Sequence, residues 1–376
     1  MSSVGLHLFD AGWDPVWSCP ALDGAAEATD RIRLLSRSGY PGLAVPTDFR
    51  GGGAPLLGVA AAQRHIAEAD PGVAVALNMH AFTIGLLREY WEQEQDVSWF
   101  LLEGVAESGA LVASAFAEPG GLPNMLSAST LATPDDRGHT VTGVKLPCSL
   151  ITTAKLFCVN ARLEGSDQVV VLLVPAGSPG LTAEPGWPSL GMTTSDTGRL
   201  ILDRVPVDRR LVFYTAPEGQ LDHLVIAGLV WFTVLVAATY HGAITTFLRE
   251  VGAHARRSFD VQADLGRAVG AATTLALATQ GLARGWAGRT IRGPAALAGA
   301  QALRNQVADT CDTVLDAGRR AAGSRLYTSD HTLAHLGLDL LASHHHPPAE
   351  RVCDLSLGGA ALGEPLTLDP DRRQGT

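Results

Sequence analysis

The middle of the chain alternates short β-branched runs with turns, and this pattern constrains the fold more than any other feature. The runs read LVASAFA, HTVTGVKL, KLFCVNARL and QVVVLLVPA, and Gly, Pro and Asp clusters separate them. Such alternation is typical of a small antiparallel sheet. The flanking sequence is rich in Ala and Leu at helical spacing. We therefore predict an α+β fold with an N-terminal helical domain over residues 1–109, a central antiparallel β-domain over 110–215 and a C-terminal four-helix bundle over 216–376.

Composition narrows the possible functions. Of the 376 residues, 46% are hydrophobic and 18% are charged, which is typical of a folded protein with a large core. The formal net charge of −10 argues against a nucleic-acid partner, because phosphate binding needs a basic surface. The first residues lack the charged-then-apolar layout of a signal peptide. The five cysteines form no CxxC pair, which indicates free thiols and a cytoplasmic location.

Two apolar helical stretches favour structural roles over functional ones. The run Leu224–Tyr240 is uncharged and nearly long enough to cross a bilayer, but threonines at 233 and 239 interrupt it. We expect a buried helix there and no contact with a membrane. His80 lies in the helical stretch Val73–Tyr90. A lone histidine on an apolar helix is more often a core residue than a ligand-binding one, so the structural role is favoured.

Three short blocks carry a resemblance to a known family. They read AFAEPGG (Ala115–Gly121), GVKLPCS (Gly143–Ser149) and LGMTTSDTGRLILDRVPV (Leu190–Val207), in this order. The chain resembles the acyl-CoA dehydrogenase family of flavoproteins, which has a TEPG-type turn, a G-x-K-x-aromatic-I-Thr/Ser stretch and a GMR-x-S segment at matching places. Ala117 replaces the hydroxyl residue of the turn, and Pro147 replaces the aromatic residue. The resemblance covers nearly the whole chain and implies the same three-part fold.

The resemblance also implies a flavin cofactor, FAD or alternatively FMN. The family's turn corresponds to Phe116 and Ala117, and its Thr/Ser position, which puts a hydroxyl near the isoalloxazine ring, corresponds to Ser149. A further family element, R-x-x-F-G, reaches the flavin of a neighbouring subunit. Its matching residues here are Arg256 and Phe259, although the glycine is lost. The resemblance therefore implies a homodimer or a homotetramer.

Two residues compete for the place of the family's catalytic glutamate. Acyl-CoA dehydrogenation needs a buried carboxylate to take the α-proton while the flavin takes the β-hydride. In most family members this glutamate precedes the last helix, and that place falls on or beside His346. In others it starts the first long C-terminal helix, where LDHLVIAG puts Asp222, although aspartate there is also typical of a helix N-cap. The adjacent histidines of 344–346 rarely converge on one ion, so we expect no metal site.

Three functions stay open at this point. The family's main reaction predicts an oxidoreductase that performs α,β-dehydrogenation of an acyl thioester, carried on CoA or on a carrier protein. The alternative is a reduced-flavin-dependent monooxygenase, because HHHPP and the KLPCS stretch (Lys145–Ser149) also resemble a subgroup that attacks thiophenes, phenols or amino sugars. The third is a flavin-free binding protein of the same fold, because several functional positions depart from the family pattern.

Overall fold

Helices make up the N-terminal part of the molecule. The computed structural model describes residues 12–13, 16–22, 27–121, 127–255, 258–328 and 332–370. The N-terminal helices in these ranges are α1 (Ala28–Ser36), α2 (Leu56–Ala69), α3 (Pro71–Glu94) and α4 (Trp99–Ser108). Gly109 ends α4 in the left-handed conformation, with φ of 65°, which favours glycine.

Asp70 separates α2 from α3 within a single residue. Its extended backbone stops α2, and its Oδ1 accepts a hydrogen bond from the Val73 N–H at 3.1 Å. Pro71 takes the first position of α3, where a backbone N–H would have no helical partner. The other carboxylate oxygen of Asp70 lies 2.6 Å from the Arg31 guanidinium, which ties α1 to this junction.

One eight-stranded sheet forms the centre of the described chain, in the order β6-β7-β3-β2-β4-β5-β8, with β1 beside β4. The strands are β1 (Val112–Ala115), β2 (Leu131–Pro134), β3 (Gly138–Cys148), β4 (Leu156–Leu163), β5 (Gln168–Pro175), β6 (Leu181–Pro185), β7 (Gly198–Asp208) and β8 (Val212–Pro217). Most neighbours are antiparallel, as predicted, but β1 and β2 both run parallel to β4. The prediction is wrong for these two pairs, because alternation specifies which side chains are buried and not the direction of the neighbouring strand.

The C-terminal part is helical, but it is not a simple four-helix bundle. Its described helices are α5 (His223–His254), α6 (Phe259–Ala287), α7 (Gly293–Ala322), α8 (Thr332–Leu341) and α9 (Glu350–Ala361). The predicted bundle therefore has three long helices and two short ones. The short α9 was not predicted as a separate element, because the Gly and Leu at its end give little helical periodicity.

Helix α5 is the central element of the C-terminal part and packs against α2, α3, α6 and α7. By length and composition it could cross a membrane, yet 89% of its most apolar window is buried inside the protein. Small residues allow this close packing. A Cβ on Gly85 of α3 would lie 2.3 Å from the Trp231 ring of α5, so only glycine fits there.

Glu89 joins three helices through one carboxylate. Its Oε1 accepts hydrogen bonds from the Trp231 indole of α5 at 3.0 Å and from the Trp286 indole of α6 at 2.6 Å. Both indoles are buried, so each N–H needs such an acceptor. This arrangement fixes α3 against α5 and α6.

His80 is a core residue, as the sequence favours. Its Nδ1 accepts a hydrogen bond from the Val112 N–H at 3.0 Å, and its Nε2 lies 3.0 Å from the Pro41 carbonyl oxygen, to which it donates. Burial lowers the pKa of His80 to about 4, which keeps the ring neutral. The histidine therefore connects α3 to β1 without contacting either of the cavities described below.

Candidate functional site

A cavity of about 430 Å³ lies between α3, the sheet and the start of α5. Its walls are Phe82, Leu86, Phe116, Val171, Phe213, Tyr214, Leu224, Val225, Gly228 and Leu229. We call it the apolar cavity, because nearly all of these side chains are hydrophobic. The cavity opens to solvent, so only part of this volume is enclosed by its walls. The arrangement suits an uncharged, aliphatic group.

Asp222 lies at one end of the apolar cavity, where it caps α5. Its Oδ1 accepts the Val225 N–H at 2.9 Å, and its Oδ2 accepts the hydroxyl of Tyr214 at 2.8 Å. Burial, followed by the charge and hydrogen bond of Asp222, raises the pKa of Tyr214, so the tyrosine keeps its proton. Both oxygens of Asp222 are thus engaged in local structure. This geometry is that of a helix cap, one of the two roles that the sequence left open.

Asp222→Asn therefore tests the two roles of this residue. Asparagine caps helices as well as aspartate does, so we expect the variant to keep its stability and its turnover within about twofold of wild type. A general base would instead lose about 100-fold or more, because an amide accepts no proton. Turnover and thermal unfolding of the two proteins should be compared, with Asp222→Ala as the variant that removes the cap. A collapse of turnover in Asp222→Asn alone would restore the role of base.

His346 lies beside a second, smaller cavity of about 230 Å³, lined by Phe232, Thr233, Val236, Arg304, Val307, Ser343, His346 and Pro347. We call this the His346 cavity. The Nε2 of His346 is 2.8 Å from the hydroxyl of Tyr240, which is fully buried in α5. Burial, and then the positive charge of Arg304, lowers the pKa of His346 to about 4. The imidazole is therefore neutral at neutral pH, with one ring nitrogen fixed by Tyr240.

Arg304 holds the segment that carries His346. From α7, its guanidinium donates to the backbone carbonyls of Pro348 at 2.6 Å, His346 at 2.9 Å and His344 at 3.2 Å. Arg304 is only 4% exposed, and such charge-assisted bonds are stronger than neutral ones. This segment joins α8 to α9. It begins with a short 3₁₀ helix (Ala342–His345), and Arg304 fixes the end of that helix and the residues after it.

Two phenylalanines separate the apolar cavity from the His346 cavity. Phe82 lines the first and Phe232 lines the second, and their rings meet edge to face with centroids 5.8 Å apart. The ring of Phe232 also packs against the His346 imidazole at 6.4 Å. The two cavities are thus neighbours along α5 with an aromatic partition between them.

The three sequence blocks come together at one edge of the sheet. The Leu146 N–H donates to the Ala117 carbonyl at 2.8 Å, which places the second block against the first. The Ser149 hydroxyl lies 2.9 Å from that of Thr197, and Thr197 lies 2.7 Å from the hydroxyl of Ser195, so the third block joins them. Ser149 and Thr197 are half-buried. The result is a short chain of hydroxyls that the sequence revealed only at Ser149.

A buried ion pair supports the same edge. The Lys145 ammonium is 2.7 Å from Glu118 Oε1 and 2.8 Å from Asn160 Oδ1, and both charged side chains are almost completely inaccessible. Burial opposes ionisation of Glu118, but hydrogen bonds from Lys145, Ser129 and Thr130 outweigh it and lower its pKa to about 2. Burial lowers the pKa of Lys145 to about 8 against the pull of Glu118. At neutral pH the pair is ionised.

The structure does not bring Phe259, one of the two predicted inter-subunit residues, to this edge. Phe259 is the first residue of α6 and is 90% exposed, while Arg256 lies outside the described residues. Phe116 forms part of the wall of the apolar cavity, and Ala117 is exposed beside it. Among the residues that the structure describes, no group of His, Cys, Asp and Glu is placed to hold a metal ion.

Ser149→Ala tests the hydroxyl chain as a cofactor contact. The loss of one hydrogen bond is worth about 1 kcal/mol, so we expect flavin to bind roughly fivefold more weakly. Quenching of flavin fluorescence gives the dissociation constant for the variant and the wild type. Ser178→Ala, outside the three blocks, serves as the control. Equal affinities in all three proteins would place the flavin elsewhere.

Comparisons with known proteins identify the family. A family model described as acyl-CoA dehydrogenase, middle domain, matches residues 113–205. The isobutylamine N-hydroxylase of Streptomyces viridifaciens is 30% identical over 357 residues, which cover 93% of each chain. The L-evernosamine nitrososynthase of a Micromonospora strain is 28% identical and covers 90% of this chain and 87% of its own. This chain belongs to the acyl-CoA dehydrogenase-like family of flavoenzymes.

A solved structure confirms the fold. KijD3, in complex with FMN and a dTDP-linked amino sugar, superposes with a TM-score of 0.76 at 24% identity and covers 90% of this chain and 87% of its own. The three-part architecture predicted from the sequence is therefore that of the family. Tyr214, Tyr240, Thr197 and Arg304 are site residues that the sequence did not predict. Tyr214 contacts Asp222, which is 8 residues away, and Tyr240 contacts His346, which is 106 residues away. No sequence motif connects either pair.

Proposed function

We propose that this protein is a reduced-flavin-dependent monooxygenase that oxidises the nitrogen of a small aliphatic amine. One observation carries the proposal: the segment before α9 presents a neutral imidazole, His346, to its cavity where a dehydrogenase of this family needs a carboxylate. Among the described residues that line the two cavities, no Asp or Glu occurs. The nearby Asp222 is engaged as a helix cap. The relatives named as an N-hydroxylase and a nitrososynthase support the same chemistry.

The residues present fit a flavin. The hydroxyls of Ser149, Thr197 and Ser195 form a polar edge that could bond the carbonyl and imide groups of an isoalloxazine ring. Phe116 adds an apolar wall next to it. FAD is the expected cofactor and FMN the alternative. When bound in reduced form, the flavin supplies the electrons for the reaction, in which one oxygen atom of O₂ joins the amine nitrogen and the other leaves as water.

The residues of this chain favour a neutral amine, which is the form that can react at nitrogen. The apolar cavity disfavours an ammonium ion, because desolvation lowers the pKa of a cationic group. His346 adds no positive charge, since its pKa is about 4. The apolar walls offer nothing to a diphosphate, which favours a short alkylamine over a nucleotide sugar. The fixed Tyr240 hydroxyl keeps the imidazole in place while substrate binds.

The second candidate is α,β-dehydrogenation of an acyl thioester on CoA or a carrier protein. Its support is the apolar cavity, which would also hold an acyl chain, and the position of Asp222 in LDHLVIAG. A homodimer or homotetramer is proposed in either case, because the 90% exposed ring of Phe259 would be covered by a neighbouring subunit. A cytoplasmic location also stays a proposal.

One pair of assays separates the two reactions. The protein is supplied with reduced FMN or FAD, O₂ and a panel of short alkylamines, and hydroxylamine products are measured by mass spectrometry. In parallel, oxidised flavin and acyl thioesters are mixed without oxygen, and flavin bleaching is followed by absorbance. Hydroxylamine formation without bleaching supports the proposal. Bleaching by an acyl thioester, with no amine oxidised, would replace it with the dehydrogenase.

A further inference from the structure

Three buried polar atoms around the His346 cavity make no hydrogen bond to an oxygen or nitrogen within the described part of the chain. They are Thr233 Oγ1 on α5, Arg304 Nη1 on α7 and Ser343 Oγ just after α8. All three residues are less than 5% exposed. Arg304 Nη1 forms an ion pair with the Glu350 carboxylate at 3.7 Å, which is too long for a hydrogen bond. The Cys311 thiol beside Ser343 is only a weak hydrogen-bond partner. Buried polar groups are nearly always bonded, so three such atoms at one cavity indicate a missing ligand.

Thr233 differs from Thr245 and Thr279, two other threonines that are buried in the helices. Thr245 of the same helix donates to the His241 carbonyl at 2.8 Å, and Thr279 of α6 donates to the Leu275 carbonyl at 2.7 Å. This bond to the carbonyl four residues earlier is the usual solution for a threonine inside a helix. Thr233 makes no such bond to its own helix in the structure. Its hydroxyl is therefore available to a molecule in the cavity.

The chemistry of the three atoms and the size of the cavity select a water molecule. The 230 Å³ of the His346 cavity includes open solvent, and the enclosed space within it is enough for about one water. A guanidinium N–H can only donate, whereas hydroxyls donate or accept, so a molecule that both accepts and donates satisfies all three. His346 also lines the cavity, and Tyr240 occupies only its Nε2. Its Nδ1 has no hydrogen bond to the described residues, which leaves that nitrogen for the same molecule.

We propose that the His346 cavity binds one ordered water molecule through Thr233, Ser343 and Arg304, and that this water fixes the tautomer of His346. Tyr240 and the water then hold the imidazole at its two nitrogens. Thr233 and Ser343 are positioning residues that act through the water on His346. Their effect on turnover rests on the proposed function, but the presence of the water and the tautomer do not.

The first test is structural. A crystal structure of the intact protein at high resolution is expected to show a water within hydrogen-bond distance of Thr233 Oγ1, Ser343 Oγ and Arg304 Nη1. The double variant Thr233→Val with Ser343→Ala is expected to lose it. Thr245→Val, the same change on the same helix, is the control and should keep it. A dry cavity in the wild type, or a Thr233 hydroxyl bonded to the Leu229 carbonyl, would overturn the proposal.

The second test reads the imidazole directly. Protein labelled with ¹⁵N-histidine gives nitrogen shifts that distinguish the two tautomers, and His346→Gln assigns the signal. We expect a single tautomer in the wild type and in Thr245→Val, and a mixed or changed tautomer in Thr233→Val. An unchanged His346 signal in Thr233→Val would overturn the proposed link.

A turnover measurement adds a third readout. With an amine substrate, the hydroxylamine formed per reduced flavin consumed should fall roughly tenfold in Thr233→Val, because the imidazole is no longer held in its position. If the wild type oxidises no amine, the proposed function fails while both tests of the water still stand.

Discussion

Lys145→Met is expected to lower the free energy of unfolding by about 3–5 kcal/mol, the cost of leaving a buried carboxylate without its partner. Lys145 and Glu118 are both almost completely inaccessible, and Lys145 also holds Asn160. The loss should be read from urea or thermal unfolding at pH 7. Part of it should be recovered in the double variant Lys145→Met with Glu118→Gln, because an uncharged amide is easier to bury. The exposed pair Arg33–Asp30 gives the control, and Arg33→Met should leave the midpoint unchanged.

The pH dependence of the same variant has a definite sign. In the wild type the pKa of Glu118 is about 2, below its ordinary value of 4.5, so this ionised group adds stability above pH 4.5 that disappears as the pH falls through about 2. Without Lys145, burial raises that pKa. The variant's Glu118 then takes up a proton as the pH falls from 7 towards 5, and the gap to the wild type should narrow. A gap that is constant or wider at pH 5 would show that the lysine stabilises the sheet by packing and not by charge.

His346→Gln is expected to lower amine oxidation by about 100-fold or more, with the fold retained. Glutamine keeps a polar group in the cavity but has no aromatic ring to pack against Phe232, and it forms a different bond to Tyr240. The rate of hydroxylamine formation and the consumption of reduced flavin should be measured together. A variant that still oxidises flavin without forming product would show that His346 supports oxygen transfer to the amine and not oxidation of the flavin.

The neighbouring histidine provides the control for this experiment. His345 is exposed, so His345→Gln should retain wild-type turnover. Tyr240→Phe should fall between the two, because it removes the hydroxyl at 2.8 Å and leaves the imidazole in place. Wild-type turnover in His346→Gln would exclude the histidine from the reaction and return attention to Asp222.

The sequence predicted the part of the site that local motifs encode. The blocks around Ala117, Ser149 and Leu190–Val207 meet at one edge of the sheet. Each block could be recognised in the sequence, because a strand and its turn are encoded by a few consecutive residues. The Tyr240–His346 contact joins residues 106 positions apart, and no sequence pattern around either residue predicts it. Asp222 shows a different limit. A helix-capping aspartate and a catalytic one occupy the same place in the sequence, and only the bonds to Val225 and Tyr214 distinguish them.

The sequence pattern also did not predict the direction of two strands or the number of C-terminal helices. The β-branched runs predicted where strands occur. They did not predict that β1 and β2 pair with β4 in parallel, because alternation does not indicate how the chain crosses between strands. In the sequence, nothing distinguishes Arg304 from an exposed arginine on a helix. Its bonds to three carbonyls before α9 exist only because α7 passes beside that segment. Such residues act through tertiary contacts, so a single sequence by itself gives no sign of them.

The pair of rings between the two cavities has a consequence for the evolution of this scaffold. Phe82 of α3 and Phe232 of α5 meet with their ring centroids 5.8 Å apart. The depth available to a substrate chain is therefore set by two side chains. One smaller residue at position 232 would open a passage from the apolar cavity to the imidazole. Single substitutions at these two positions can thus change the length of substrate chain that the protein prefers, without a change in the order of its helices.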